Sequence, residues 1–131
     1  MLGGRVRHVP VERHTDERGS LVPLDFAAIP MVVRRAFVVT APTGTSRGGH
    51  AHRRGRQVLM RLSGTIRVEL ATAHERLSVT LTEDSPAVLV EPGVWARQTY
   101  LGPDPSLAVF CDTDYDPGDY VHEVPAPADA R

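Results

Sequence analysis

The sequence predicts an all-β fold, a closed antiparallel barrel or jelly roll, on three observations. Runs in which apolar and polar residues alternate recur along the chain, the period of a strand with one face in a core. Eleven prolines and eleven glycines fall mostly between these runs, which favours many turns over long helices. Only Asp25 to Ile29 has the character of a helical turn, and Pro30 ends it.

The elements follow in chain order. A strand-like N-terminal segment ends near Val22-Pro23-Leu24 with no evident pairing partner. Val32 to Val39 is rich in β-branched residues and precedes the loop Ala41-Pro42-Thr43-Gly44. Val58, Met60 and Leu62 alternate with Gln57, Leu59 and Arg61, and Ile66, Val68 and Leu70 alternate with Arg67 and Glu69. Ser63-Gly64 lies between those two runs and reads as a tight hairpin turn. Ala71 to Glu75 reads as a second hairpin loop, leading into Leu77, Val79 and Leu81. Ala87 to Val90 and Leu107 to Cys111 are short apolar strands bounded by proline and glycine. The tail from Pro125 to Arg131 is expected to fray. Residues 1–131 read as a single domain, without a repeat or a linker.

Composition narrows the function. A formal charge of −1 and a pI near 6.6 give no bulk attraction to nucleic acid or membrane. All fifteen basic residues are arginine, which rules out Schiff-base catalysis through lysine. Cys111 is the only cysteine and sits in the apolar run Leu107 to Cys111, so it reads as an inert core thiol. A lone cysteine, an N-terminus without an apolar leader and no membrane-length apolar stretch lead to the expectation of a cytoplasmic protein.

The chemistry concentrates between Gly44 and Gly64. His50 and His52, at i and i+2 on a strand, point to one face, and the glycine-rich approach before them admits a ligand close to the backbone. The spacing resembles the first metal motif of the cupins, G-x5-H-x-H-x4-E-x6-G, with Gln57 in the carboxylate position. In the second cupin motif Pro92-Gly93-Val94-Trp95-Ala96 places Ala96 where a histidine ligand belongs. Two of four ligands are thus replaced by groups that hold Zn²⁺ or Fe²⁺ poorly or not at all. The expectation is a site with no metal and no cofactor, in which the paired imidazoles do acid/base work. Arg47, before Gly48-Gly49, has the planar fork that suits a phosphate. Gln57 is expected to point inward as a hydrogen-bonding group, and Trp95 either to stack on a base or sugar or to pack at the barrel mouth. Arg53, Arg54 and Arg56 read as a solvated basic loop at that mouth, and His8, His14, His74 and His122 as exposed or structural.

At these residues the chain resembles the WxcM-like cupins, the sugar 3,4-ketoisomerases acting on dTDP-4-keto-6-deoxyglucose. The likeness runs from Asp16-Glu17-Arg18-Gly19-Ser20-Leu21 through Arg34 to Phe37, Arg47 to Arg53 and Gln57 to Leu59. It continues through Asp84-Ser85-Pro86 and Pro92 to Trp95 to Asp114-Tyr115-Asp116 and Asp119-Tyr120. The resemblance implies a cupin-type jelly roll (a double-stranded β-helix), no metal, and a homodimer that exchanges N-terminal strands. It also implies a cofactor-independent isomerase of a nucleotide-linked keto sugar, in secondary-metabolite or surface-polysaccharide biosynthesis. His50 would be the base, and His52 would help protonate the intermediate. Arg47 and Arg35 would hold the diphosphate, with Phe37, Gln57 and Trp95 also lining the substrate site. Two positions depart from the family: Phe37 and Val38 where a tyrosine is usual, and Ala96 where a histidine is common. Other readings stay open on the residues alone. They are a metal-free cupin that cyclises or dehydrates a natural-product intermediate, a non-catalytic ligand-binding cupin, and a metal enzyme recruiting His74 or Glu91.

Overall fold

The structure, a computed structural model, describes residues 1–125. Its strands are β1 (Val6–His8), β2 (His14–Asp16), β3 (Gly19–Leu21), β4 (Arg35–Thr40) and β5 (Ser46–His52). They continue with β6 (Gln57–Ala71), β7 (Arg76–Leu81), β8 (Ala87–Val90), β9 (Trp95–Cys111) and β10 (Tyr120–Val121). A 3₁₀ turn at Phe26–Ala28, capped by the Asp25 carboxylate accepting from the Ala27 N–H, fills the stretch read as a helical turn. Among the described residues no helix is long and apolar enough to cross a membrane. The fold is all-β, as expected.

Eight strands form one curled antiparallel sheet around two long strands, β6 and β9. The second half of β6 pairs with the first half of β9, from Thr65 with Leu101 to Ala71 with Trp95. β7 and β5 flank that leaf, and β10 lies on β5. The first half of β6 pairs with the second half of β9, from Gln57 with Cys111 to Ser63 with Ser106, flanked by β4 and by β8 with β1. The two leaves enclose a core that includes Leu59, Ile66, Leu70, Tyr100, Leu107 and Val109.

The crease between the leaves corrects one expectation. Ser63-Gly64 is not a hairpin turn, because β6 runs through it and stays paired with β9 on both sides, with register shifts between Arg61 and Thr65. Gly64 has φ +69°, and a Cβ there would lie 2.6 Å from the Leu101 carbonyl oxygen and 2.7 Å from Pro105 Cα. Left-handed backbone at a close crossing needs glycine for a bulge as much as for a turn. The bulge switches the inward parity of the strand, from Leu59 before it to Ile66, Val68 and Leu70 after it. β9 switches in the same way, from Ala96 and Tyr100 to Leu107, Val109 and Cys111.

Val58 and Met60 therefore face outward. They are buried against Ala87, Leu89 and a covering layer from the N-terminal segment that includes Val11, Leu24, Phe26 and Met31. At the start of that segment β1 pairs with β8. Its β2–β3 hairpin is exposed throughout. Of the tail expected to fray, Pro125 accepts a hydrogen bond from the Arg76 guanidinium at 2.7 Å, and residues 126–131 lie outside the described residues.

Candidate active site

The paired histidines enter the interior through a second bulge. On β5, Arg47 pairs with Gln98 and His50 pairs with Ala96, so three steps on β5 match two on β9. Strict alternation would send residues three apart to opposite faces. The extra residue is absorbed at Gly48 and Gly49, with φ +83° and +75°, and brings Arg47 and His50 to the same side. There they line one interior cavity of about 250 Å³, together with Arg35 and Phe37 of β4, Gln57 of β6 and Tyr120 of β10. Gln98 and Tyr100 of β9 complete its polar wall.

His52 sits behind this wall rather than on it. It is 9% exposed, and its Nδ1 lies 3.2 Å from Oδ2 of Asp119, itself 2% exposed. The Asp119 carboxylate also accepts the backbone N–H groups of Arg54 at 2.7 Å and Gly55 at 3.2 Å. His52 Nε2 is buried with no hydrogen-bond partner among the described residues. The Tyr120 ring packs against both imidazoles, its centroid 4.5 Å from that of His50 and 4.6 Å from that of His52, and the imidazole centroids are 5.1 Å from each other. Cross-strand pairing of Tyr120 with His52 fixes that position. His122, expected to be structural or exposed, is exposed, but its ring stands 6.0 Å from that of His50.

Electrostatics hold both imidazoles neutral. Burial pushes His50 below the usual histidine range, and the charges of His52 and His122 add to the effect, against an opposing hydrogen bond to the Gly48 backbone. Burial also lowers His52, outweighing the pull of Asp119 upward. For Asp119 itself burial raises the pKa, but the N–H groups of Arg54, His52 and Gly55 outweigh it and keep the carboxyl below its ordinary value.

The sequence-selected residues divide. Arg35, Phe37, Arg47, His50 and Gln57 come together, with His52 directly behind them. Trp95 does not join them, because β9 turns Ala96 inward beside His50 and Trp95 outward. It is buried there among Ala51, Ala71 and Val121, the packing role rather than the stacking one. Of the three loop arginines, Arg53 is exposed as expected, but the other two are not a free basic rim. Arg54 pairs with Asp116 and Asp119, and Arg56 pairs with Glu91 and Asp112. Arg35 and Arg47 have no carboxylate partner among the described residues, and Arg35 lies over the Phe37 and Tyr115 rings at 4.8 and 4.9 Å. Glu91 is held by Arg56 and His74 lies in the β6–β7 hairpin. Among the described residues no group of three or more His, Cys, Asp or Glu is placed to hold a metal ion.

Asp119, Tyr120, Gln98 and Tyr100 were not singled out as site residues from the sequence. The only signal for the first two was their place in the family likeness, since no local spacing connects them to a strand sixty-seven residues away.

Comparison with known proteins agrees with this geometry. A family model described as FdtA: WxcM-like, C-terminal matches residues 5–127. The TDP-4-oxo-6-deoxy-α-D-glucose-3,4-oxoisomerase of Aneurinibacillus thermoaerophilus is 36% identical over 112 residues, covering 82% of this chain and 79% of that one. Among solved structures, the 3,4-ketoisomerase QdtA of Thermoanaerobacterium thermosaccharolyticum, as a double mutant in complex with TDP, superposes with a TM-score of 0.84. It is 26% identical and is matched over 92% of this chain and 88% of its own. The TDP-quinovose 3,4-ketoisomerase WlaRB of Campylobacter jejuni shares the fold at a TM-score of 0.82 and 21% identity, over 92% of this chain and 94% of that one.

Proposed function

This chain belongs to the WxcM-like, C-terminal family, and from that membership we infer that it is a 3,4-ketoisomerase of a TDP-linked 4-keto-6-deoxyhexose. It is an isomerase built on the cupin-type barrel of its structural neighbours. The observation that carries the reading is one cavity in which a neutral, half-buried His50 faces two arginines that have no carboxylate partner among the described residues.

The reaction moves a carbonyl from C4 to C3, which requires a proton removed from C3 and another delivered to C4 through an enediol. His50 is the base in this reading, because its neutral imidazole lines the cavity and accepts a proton near neutral pH. At about 250 Å³ the cavity is smaller than the roughly 300–1,000 Å³ of sites that enclose drug-sized ligands. The sugar ring enters it, while the diphosphate stays at the mouth with the exposed Arg47 and with Arg35. Gln57 and Phe37 border the ring. No cofactor is needed for this shift. Gln57 and Ala96, standing where a cupin metal motif has a carboxylate and an imidazole, are poor ligands or none.

The unit acts as one cytoplasmic domain in deoxysugar biosynthesis for a natural product or a surface polysaccharide, and assembles as a homodimer. Support for the dimer comes from the exposed β2–β3 hairpin and from Leu21, Val32, Val38 and Leu62, which leave apolar surface uncovered. Light scattering at micromolar concentration is expected to give twice the 14.3 kDa chain mass.

The direct test is incubation with TDP-4-keto-6-deoxyglucose followed by ¹³C NMR. A new C3 carbonyl resonance that grows as the C4 carbonyl falls is the expected outcome. TDP binding without any such conversion would move the chain to the class of non-catalytic ligand-binding cupins.

A further inference from the structure

The proton delivered to C4 has no evident source in the two histidines. Asp119 accepts two backbone N–H groups and so stands as an ionised acceptor, which makes His52 Nδ1 the donor to it. His52 Nε2, buried and without a partner, then carries only a lone pair in the neutral ring. His50 is likewise neutral, held there chiefly by burial. Two neutral imidazoles so arranged take protons from a substrate, but neither begins the cycle holding the second proton above the sugar ring.

A phenol supplies it, being protonated throughout the neutral range. Phe37, at the position where a hydroxyl is expected, offers none. Tyr100 also borders the cavity, from β9, but it is 0% exposed and makes no ring contact with either imidazole among the described residues. Tyr120 lines the cavity and touches both. We propose that Tyr120 is the catalytic acid that protonates C4, and that His52 and Asp119 act behind it as positioning residues. The assignment rests on the 3,4-ketoisomerase reading.

The cycle balances within these groups. His50 takes the C3 proton, and the C3–H pair becomes the C3–C4 π bond as the C4 carbonyl pair moves to O4. The O3 hydroxyl proton passes to O4, leaving the negative charge on O3. Re-formation of the carbonyl at C3 sends the π pair to C4, which takes the Tyr120 hydroxyl proton. The resulting phenolate recovers a proton from the His50 imidazolium, whose ring centre is 4.5 Å from that of Tyr120. Both residues end as they began, and no external proton donor or redox partner is needed.

The test is Tyr120→Phe with TDP-4-keto-6-deoxyglucose in deuterated water, reading both net isomerisation and deuterium entering C3 of unreacted substrate. The substitution keeps the ring against both imidazoles, and an unchanged melting temperature checks the fold. Loss of the acid is expected to slow turnover about 100-fold or more, while C3 exchange by His50 stays within threefold of wild type. Two results on an active wild type overturn the proposal: turnover of Tyr120→Phe within threefold of wild type, or C3 exchange falling in step with turnover. A wild type that binds TDP but forms no 3-keto product overturns the ketoisomerase reading instead, and this assignment with it.

Discussion

His52 Nδ1 lies 3.2 Å from Asp119 Oδ2, in a corner where the carboxylate is 2% exposed and also holds the Arg54 and Gly55 N–H groups. The contact joins the strand carrying the paired histidines to the segment that delivers Tyr120, so one buried carboxylate sets both the ring orientation of His52 and the seat of β10.

Asp119→Asn is the substitution that tests this contact. The amide cannot offer His52 an anionic acceptor, and its NH₂ facing Nδ1 would favour the opposite tautomer. By analogy with a carboxylate that holds a catalytic imidazole in place, kcat is expected to fall about 10²-fold or more. Loss of charge-assisted bonds to a buried group is expected to lower stability by roughly 1–3 kcal/mol. Steady-state kinetics and urea unfolding on the same preparation separate the two effects.

The depressed histidines give the pH dependence a definite sign. His50 and His52 both titrate below about 6.5 in the folded state. Between those lowered values and about 6.5 the unfolded chain binds more protons, so stability is full above that window and falls as pH drops through it. Melting scans are expected to show a larger loss from pH 7.5 to 5.5 for wild type than for His50→Gln, which removes one of the two groups. The acid limb of kcat/KM should likewise have an apparent pKa below 6.5. A limb centred above 7 would mean that the imidazoles are not held neutral.

Arg47→Ala should weaken TDP binding about 10- to 100-fold, the equivalent of one charge-assisted hydrogen bond of roughly 1.5–3 kcal/mol. His50→Ala should weaken it less, because that side chain meets the sugar ring in this account. Isothermal titration calorimetry gives both values. Equal affinities for wild type and Arg47→Ala would remove Arg47 from the site.

Gly64→Ala tests the crease. The substitution puts a Cβ on left-handed backbone, 2.6 Å from the Leu101 carbonyl oxygen, where only main chain can yield. A destabilisation of roughly 2–4 kcal/mol is expected in urea unfolding. A change below half a kcal/mol would mean that the parity switch does not depend on glycine.

How much of this was legible in the sequence varies with the distance over which the information acts. Alternation located the strands, and i, i+2 spacing placed His50 and His52 on one face, because both are properties of adjacent residues. The same local rule failed at Gly64, where a glycine that permits a turn equally permits a bulge, and only the unbroken partner strand decides between them. It left Trp95 open as well, since the side it takes is fixed by the Ala96–His50 pairing across the sheet. Arg47 was selected for its glycines and guanidinium, but those glycines act by shifting the register so that it shares a face with His50. Tyr120 reaches the site through a two-residue strand on the β5 edge, and Asp119 through the turn just before it, a pairing that no periodicity announces.

The central claim is that His50 removes the C3 proton, and His50→Asn with TDP-4-keto-6-deoxyglucose in deuterated water tests it most directly. Asparagine keeps hydrogen-bonding capacity and much of the size but exchanges no proton near neutral pH. Wild type is expected to wash deuterium into C3 before net product accumulates. The variant is expected to bind TDP within threefold of wild type, show no C3 exchange, and lose at least about 10³-fold in turnover. Turnover of His50→Asn within tenfold of wild type, with deuterium still entering C3, would contradict the account and leave the paired histidines as a remnant of a metal site.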